Sequence, residues 1–198
     1  MRDVAVVSSV SGGSIIAAYY LVEMERRLRV EKDPFEIATR LKVFESIAKD
    51  FCTTVEHNLR TRALIFTPAY HPWLFVKTLF LKAFRSGARS ELIQAEYDRW
   101  LFHEDMLDQL PSVTTNGCVE ATNPLVGPKL VLNTTSLLTG KRTAFSRVSK
   151  SDAKDFGTPD LNFVRLSRIV GASSGVPVMF PPTSVRGDLL VDGGVSDN

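Results

Sequence analysis

Ser11 is followed at once by Gly12 and Gly13 and preceded by an apolar run, within VAVVSSVSGGSIIAAYY (residues 4–20). A serine on a sharp strand-to-helix turn projects its hydroxyl above a sheet, and so tight a turn asks for small neighbours. Gly12 and Gly13 meet that demand. The same turn sets Ser11 at the amino end of a helix, where unpaired N–H groups and the helix dipole favour negative charge. An alkoxide or a tetrahedral oxyanion would be stabilised there, with the Gly12 N–H as a donor. The usual elbow pattern is Gly-x-Ser-x-Gly, and here Ser9 holds its first position. The same residues also suit a glycine-rich turn that caps a helix or binds phosphate, although no lysine follows the glycines as in a Walker-type loop.

A nucleophilic serine needs a base. The α/β-hydrolase order puts its histidine after the acid, toward the carboxyl end, whereas the three histidines here are His57, His71 and His103. A triad in another order remains open, but each histidine lies in a stretch that reads as ordinary helix or loop. Asp192 is the better candidate. It ends the apolar run Leu189-Leu190-Val191 and precedes Gly193-Gly194, and open α/β sheets place their sites at strand carboxyl ends. An aspartate capping a turn would read the same way.

The elements that must position these residues follow from pattern. Val4 to Ser8 reads as a buried strand, and Gly12 to about Val30 as a helix that emerges into solvent at Glu23–Arg29. A second helix is expected from Pro34 to about Phe51. Residues 128–146 read as two strands around Thr139-Gly140, residues 163–182 as a helix ended by Gly175 and Pro177, and residues 188–198 as a strand entering a glycine turn. Strands alternating with helices favour an α/β fold with a largely parallel sheet.

Composition bounds the rest. A chain of 198 residues, 44% hydrophobic and 23% charged, reads as one domain of an ordinary globular protein. Its net charge of +2 gives no reason to expect a nucleic-acid partner. Cys52 and Cys118 lack metal-type spacing, so neither zinc nor a disulfide framework is expected. No signal-peptide pattern opens the sequence. Residues 57–90 combine six basic residues with six aromatics and no acid. That mixture suits a lipid surface or a cap, within a helical insertion over 57–110, and the prolines Pro68 and Pro72 argue against a spanning helix.

VSSVSGGSIIAAYY, LVLNTTSLLTG with a following FS, and LSRIVGASSGVPVMFPP leading into LVDGGVSDN together resemble the patatin-like phospholipase family, especially its bacterial members. The resemblance implies a three-layer α/β fold, a central sheet flanked by helices, and a Ser-Asp dyad rather than a triad. It places the nucleophile on Ser11 and the base on Asp192, requires no cofactor or metal, and makes a lipid ester the substrate. The family carries a glycine-rich oxyanion loop upstream of the elbow, and this chain opens at the elbow strand. The chain is therefore expected to be incomplete at both ends and nearly inactive by itself. The alternative is a non-catalytic lipid-binding or scaffold protein of the same fold. Placement in the cytoplasm or at a membrane surface is expected, an upstream targeting signal aside.

Overall fold

A computed structural model describes residues 4, 6–56, 88–103, 105, 128–146, 164–175 and 180–196. Strand β1 (Val6–Ser9) leads into helix α1 (Gly12–Leu28), and α2 (Ile37–Glu56) follows. Helix α3 (Ala88–Tyr97) continues into a π-helical turn, Asp98–Phe102. Strands β2 (Lys129–Ser136) and β3 (Arg142–Phe145) form a hairpin, with Gly140 at φ 67° in its turn. Helix α4 (Leu166–Ser173) precedes a second hairpin, β4 (Thr183–Val185) and β5 (Asp188–Asp192), which ends in a 3₁₀ turn at Gly193–Val195. The aromatic and basic run expected to form a cap or a lipid surface lies outside the described residues from 57 to 87.

The α/β fold is as expected, and its sheet is mixed. In hydrogen-bonding order it runs β1-β2-β5-β4, with β3 also on β2. Only β1 and β2 pair in parallel, and the other three pairings are antiparallel among the described strands. Connection length explains the two hairpins and the parallel pair: the short turns of β2–β3 and β4–β5 can only fold a strand back antiparallel, whereas the long helical crossover from β1 to β2 permits a parallel partner.

Helix α1 buries Ser14, Ala18, Leu21 and Val22, one stripe at helical spacing. It packs on α2 through Tyr19 against Phe51 (ring centroids 5.2 Å apart) and Tyr20 edge-on to Phe44 (5.8 Å). Helix α4 packs on β2 and β5, with α1 and α3 beside it. Leu132, Leu166, Ile169 and Val170 have no exposed surface. Arg27 ties α1 to α2, donating to Ser46 Oγ (2.6 Å), Asp50 Oδ2 (2.7 Å) and the buried Glu23 (3.1 Å).

Asp105 joins α1 to the start of α4. Its Oδ2 accepts from Arg26 (3.0 Å) and its main-chain oxygen from the Leu166 N–H (2.9 Å). Burial raises its carboxyl pKa above the usual 3.8, with Glu23 adding to the rise and Arg26 and His103 opposing it. The native state then holds this proton more tightly than the unfolded chain. That stabilisation is complete below the ordinary value and is lost as the pH rises through the raised one. Asp105→Asn keeps an acceptor for Arg26 and removes the loss. The variant should show a higher urea midpoint than the parent at neutral pH and a flatter profile from about pH 4 to 7. A lower midpoint at pH 7 would mean that the charge pairing with Arg26 outweighs burial.

Candidate active site

Ser11 sits between β1 and α1 with φ 54° and ψ −136°, a conformation that L-residues adopt at a cost of roughly 1–3 kcal/mol. Three backbone hydrogen bonds hold it there. The Ser11 N–H donates to Ser173 O (3.1 Å), Gly13 N–H to Val10 O (3.1 Å), and Ser14 N–H to Ser11 O (3.0 Å). Ser11 occupies the N-cap position of α1, where a serine hydroxyl ordinarily accepts from the first turn. Here its side chain makes no capping bond. The capping reading of the motif therefore falls, and the hydroxyl is held at the turn with no role in the helix.

The two glycines act differently from the sequence expectation. A Cβ added at Gly12 or at Gly13 would meet nothing within 4 Å. Crowding by the described residues does not require small side chains there. No described acceptor takes the Gly12 N–H, whereas that of Gly13 is spent on Val10.

Asp192 ends β5 at 5% exposure. Its Oδ1 accepts from the Gly194 N–H at 2.9 Å, so the turn-capping reading is correct for one oxygen. The other oxygen, Oδ2, takes no partner among the described residues.

The sheet register brings the two candidates together. Leu132 faces Ser9 of β1 and Phe145 of β3, so those strands lie on opposite edges of β2. Thr134 faces Thr143 of β3 and Asp192 of β5, so β3 and β5 also lie on opposite edges. Strands β1 and β5 thus share one edge of β2 and run toward each other, their carboxyl ends meeting at Asn133. Contacts at that point agree: a Cβ on Gly193 would lie 2.5 Å from Asn133 O and 2.7 Å from Val10 Cγ2.

The end of α4 fixes both strands. The last carbonyls of a helix lack intrahelical donors; the Ser11 N–H bonds that of Ser173, and the Asp192 N–H bonds that of Gly175, two residues beyond the helix, each at 3.1 Å. Two candidate residues far apart in sequence are docked on carbonyls two residues apart. Behind them runs a buried hydroxyl chain, with Ser14 Oγ 2.7 Å from Ser173 Oγ and Ser173 Oγ 2.6 Å from Asn133 O. A carbonyl only accepts, so Ser173 donates to Asn133 and Ser14 donates to Ser173.

The sequence reading missed Ser14, Ser173 and Asn133. A signal existed for the last, since asparagine is depleted in strands and this one interrupts the run Leu130-Val131-Leu132. Of the histidines, His57 and His71 lie outside the described residues. His103 closes the π-helical turn at φ 47°, its N–H bonding Asp98 O, and no hydrogen bond joins it to Ser11 or Asp192. Among the described residues no group of His, Cys, Asp or Glu could hold a metal ion. A cavity of about 340 Å³ lies between α3, α4 and the β4–β5 hairpin, and neither Ser11 nor Asp192 lines it.

The chain matches the family described as patatin-like phospholipase over residues 1–198. It belongs to that family. Among curated proteins no match is found. Membership makes it a member of a hydrolase family whose general activity is lipid acyl hydrolysis.

Proposed function

We propose that the protein is a lipid acyl hydrolase of the phospholipase A or lysophospholipase kind, with Ser11 as nucleophile and Asp192 as its base. The observation that carries the reading is the docking of both residues on the end of α4, with Ser11 at φ 54° and its hydroxyl unused by the helix. Asp192 Oδ2 accepts the Ser11 proton as Ser11 Oγ attacks the ester carbonyl. The Gly12 N–H faces the oxyanion that forms, aided by the amino end of α1. Collapse expels the alcohol, which takes the proton back from Asp192 and leaves an acyl-enzyme. Water, deprotonated by Asp192, then releases the fatty acid and frees Ser11. No direct Ser11–Asp192 hydrogen bond is formed, and such contacts commonly tighten only when substrate binds.

No helix among the described residues is long and apolar enough to cross a membrane. Lipid would be met from one side, with residues 57–90 as the proposed contact. A fluorophosphonate probe on the full-length protein tests the chemistry. Label should appear on Ser11, found by peptide mapping, and Asp192→Asn should slow labelling at least about 10²-fold, because an amide cannot accept the proton. Label on another residue would move the nucleophile. A wild-type protein that binds lipid vesicles without labelling would favour the scaffold reading.

A further inference from the structure

Asn133 stands where β1 and β5 meet, and its side chain makes three hydrogen bonds there. Its Nδ2 donates to Ser9 O and to Ser8 Oγ, each at 2.9 Å, binding the last residues of the strand that leads into Ser11. Its Oδ1 accepts from Arg142 Nε at 2.9 Å. That bond fixes the amide's orientation, because a guanidinium only donates and so turns the NH₂ toward β1. Its main-chain oxygen accepts from Ser173 Oγ and touches the Cα region of Gly193, the residue after Asp192. One residue thus holds the end of β1 with its side chain and the end of β5 with its backbone.

We propose that Asn133, oriented by Arg142, is a positioning residue that sets the spacing between Ser11 and Asp192. The proposal rests on the Ser-Asp reading above for its catalytic consequence. Neither residue touches substrate in this role. They act on the gap across which the proton moves, and a displacement of about 1 Å can cost 10²-fold in rate.

Asn133→Asp is the discriminating variant. It keeps the shape, loses both N–H donors, and sets a carboxylate against the Ser9 carbonyl. With p-nitrophenyl butyrate, kcat per fluorophosphonate-titratable site should fall about 10- to 100-fold while KM moves less than about threefold. Normalising to titrated sites removes any unfolded fraction. Arg142→Met should act in the same direction and more weakly. The double variant should be hardly worse than Asn133→Asp, because both changes work through one amide. Backbone hydrogen exchange at the Ser11 N–H, which bonds Ser173 O, should quicken in Asn133→Asp by more than any global loss of protection.

An unchanged kcat per titrated site in Asn133→Asp would overturn the proposal, as would exchange at Ser11 that merely follows global unfolding. If the full-length protein neither labels nor hydrolyses the ester, the Ser-Asp reading fails instead. The exchange measurement then still decides whether Asn133 holds the end of β1.

Discussion

Ser11→Ala and Ser11→Gly should abolish ester hydrolysis equally and part company in stability. Removing the nucleophile of a covalent mechanism leaves only binding and oxyanion stabilisation, so both variants should fall by about 10⁴-fold or more, to near background. The alanine keeps a Cβ at φ 54° and therefore keeps the strain. Glycine releases it, since a residue without Cβ adopts that conformation freely. Relief of roughly 1–3 kcal/mol, less about 0.4–1 kcal/mol for the greater freedom of glycine in the unfolded chain, leaves a net gain on the order of 1 kcal/mol. In a chain of this size that raises the melting temperature by about 2–4 °C relative to Ser11→Ala. Thermal melts of the two inactive variants isolate the backbone effect from chemistry. If Ser11→Gly melts no higher than Ser11→Ala, the turn stores no strain, and the three backbone bonds around it are not working against anything.

The parts of this site that could be read from sequence are those set by neighbours along the chain. A serine between an apolar run and two glycines announces its turn, and an aspartate between Val191 and Gly193 announces a strand end. Helix α1 was legible from the dense apolar residues after Gly13 and the charged residues that follow them. Helix α3 falls inside the stretch 57–110 expected as a helical insertion, but its bounds were not legible, because ARSELIQAEY buries Ser90 and Glu96 together with Ile93 and Tyr97 and so blurs the apolar period. Strand β4 has three residues, too few to show alternation, and its turn places Arg186 at φ 51° before Gly187. An arginine in that conformation is no turn signal. The largest gap is the meeting of β1 and β5 on one edge of β2. No local pattern encodes it, because it depends on Asn133 bonding residues more than a hundred positions upstream while its backbone lies against Gly193. The open space at Gly12 and Gly13 was hidden for the same reason, since only neighbours in three dimensions decide whether a glycine is crowded.

Crowding is what separates the glycines, and Gly193→Ala should be the most damaging of their single-methyl changes. The new Cβ would lie 2.5 Å from Asn133 O, 2.8 Å from Asn133 C and 2.7 Å from Val10 Cγ2. Val10 could swing its methyl aside, but the Asn133 carbonyl belongs to the central strand and is fixed by the Ser173 hydroxyl. The end of β5 must move instead, taking Asp192 with it. Overpacking that forces a backbone shift costs about 3 kcal/mol or more, a fall of roughly 6–12 °C in melting temperature for a chain of this length. Gly13→Ala is the control. Its methyl meets nothing within 4 Å, and alanine in a helix is worth up to about 1 kcal/mol over glycine, so this variant should melt at or above the parent. Its activity should nevertheless drop, because the methyl adds bulk two residues from Ser11, at the turn that the ester has to approach. Melting curves and p-nitrophenyl ester rates on the two variants therefore give opposite pairings: Gly193→Ala loses stability and activity together, and Gly13→Ala loses activity alone. A Gly193→Ala protein as stable as the parent would show that β1 and β5 do not meet at Asn133. A Gly13→Ala protein of full activity would mean that substrate reaches Ser11 from another side.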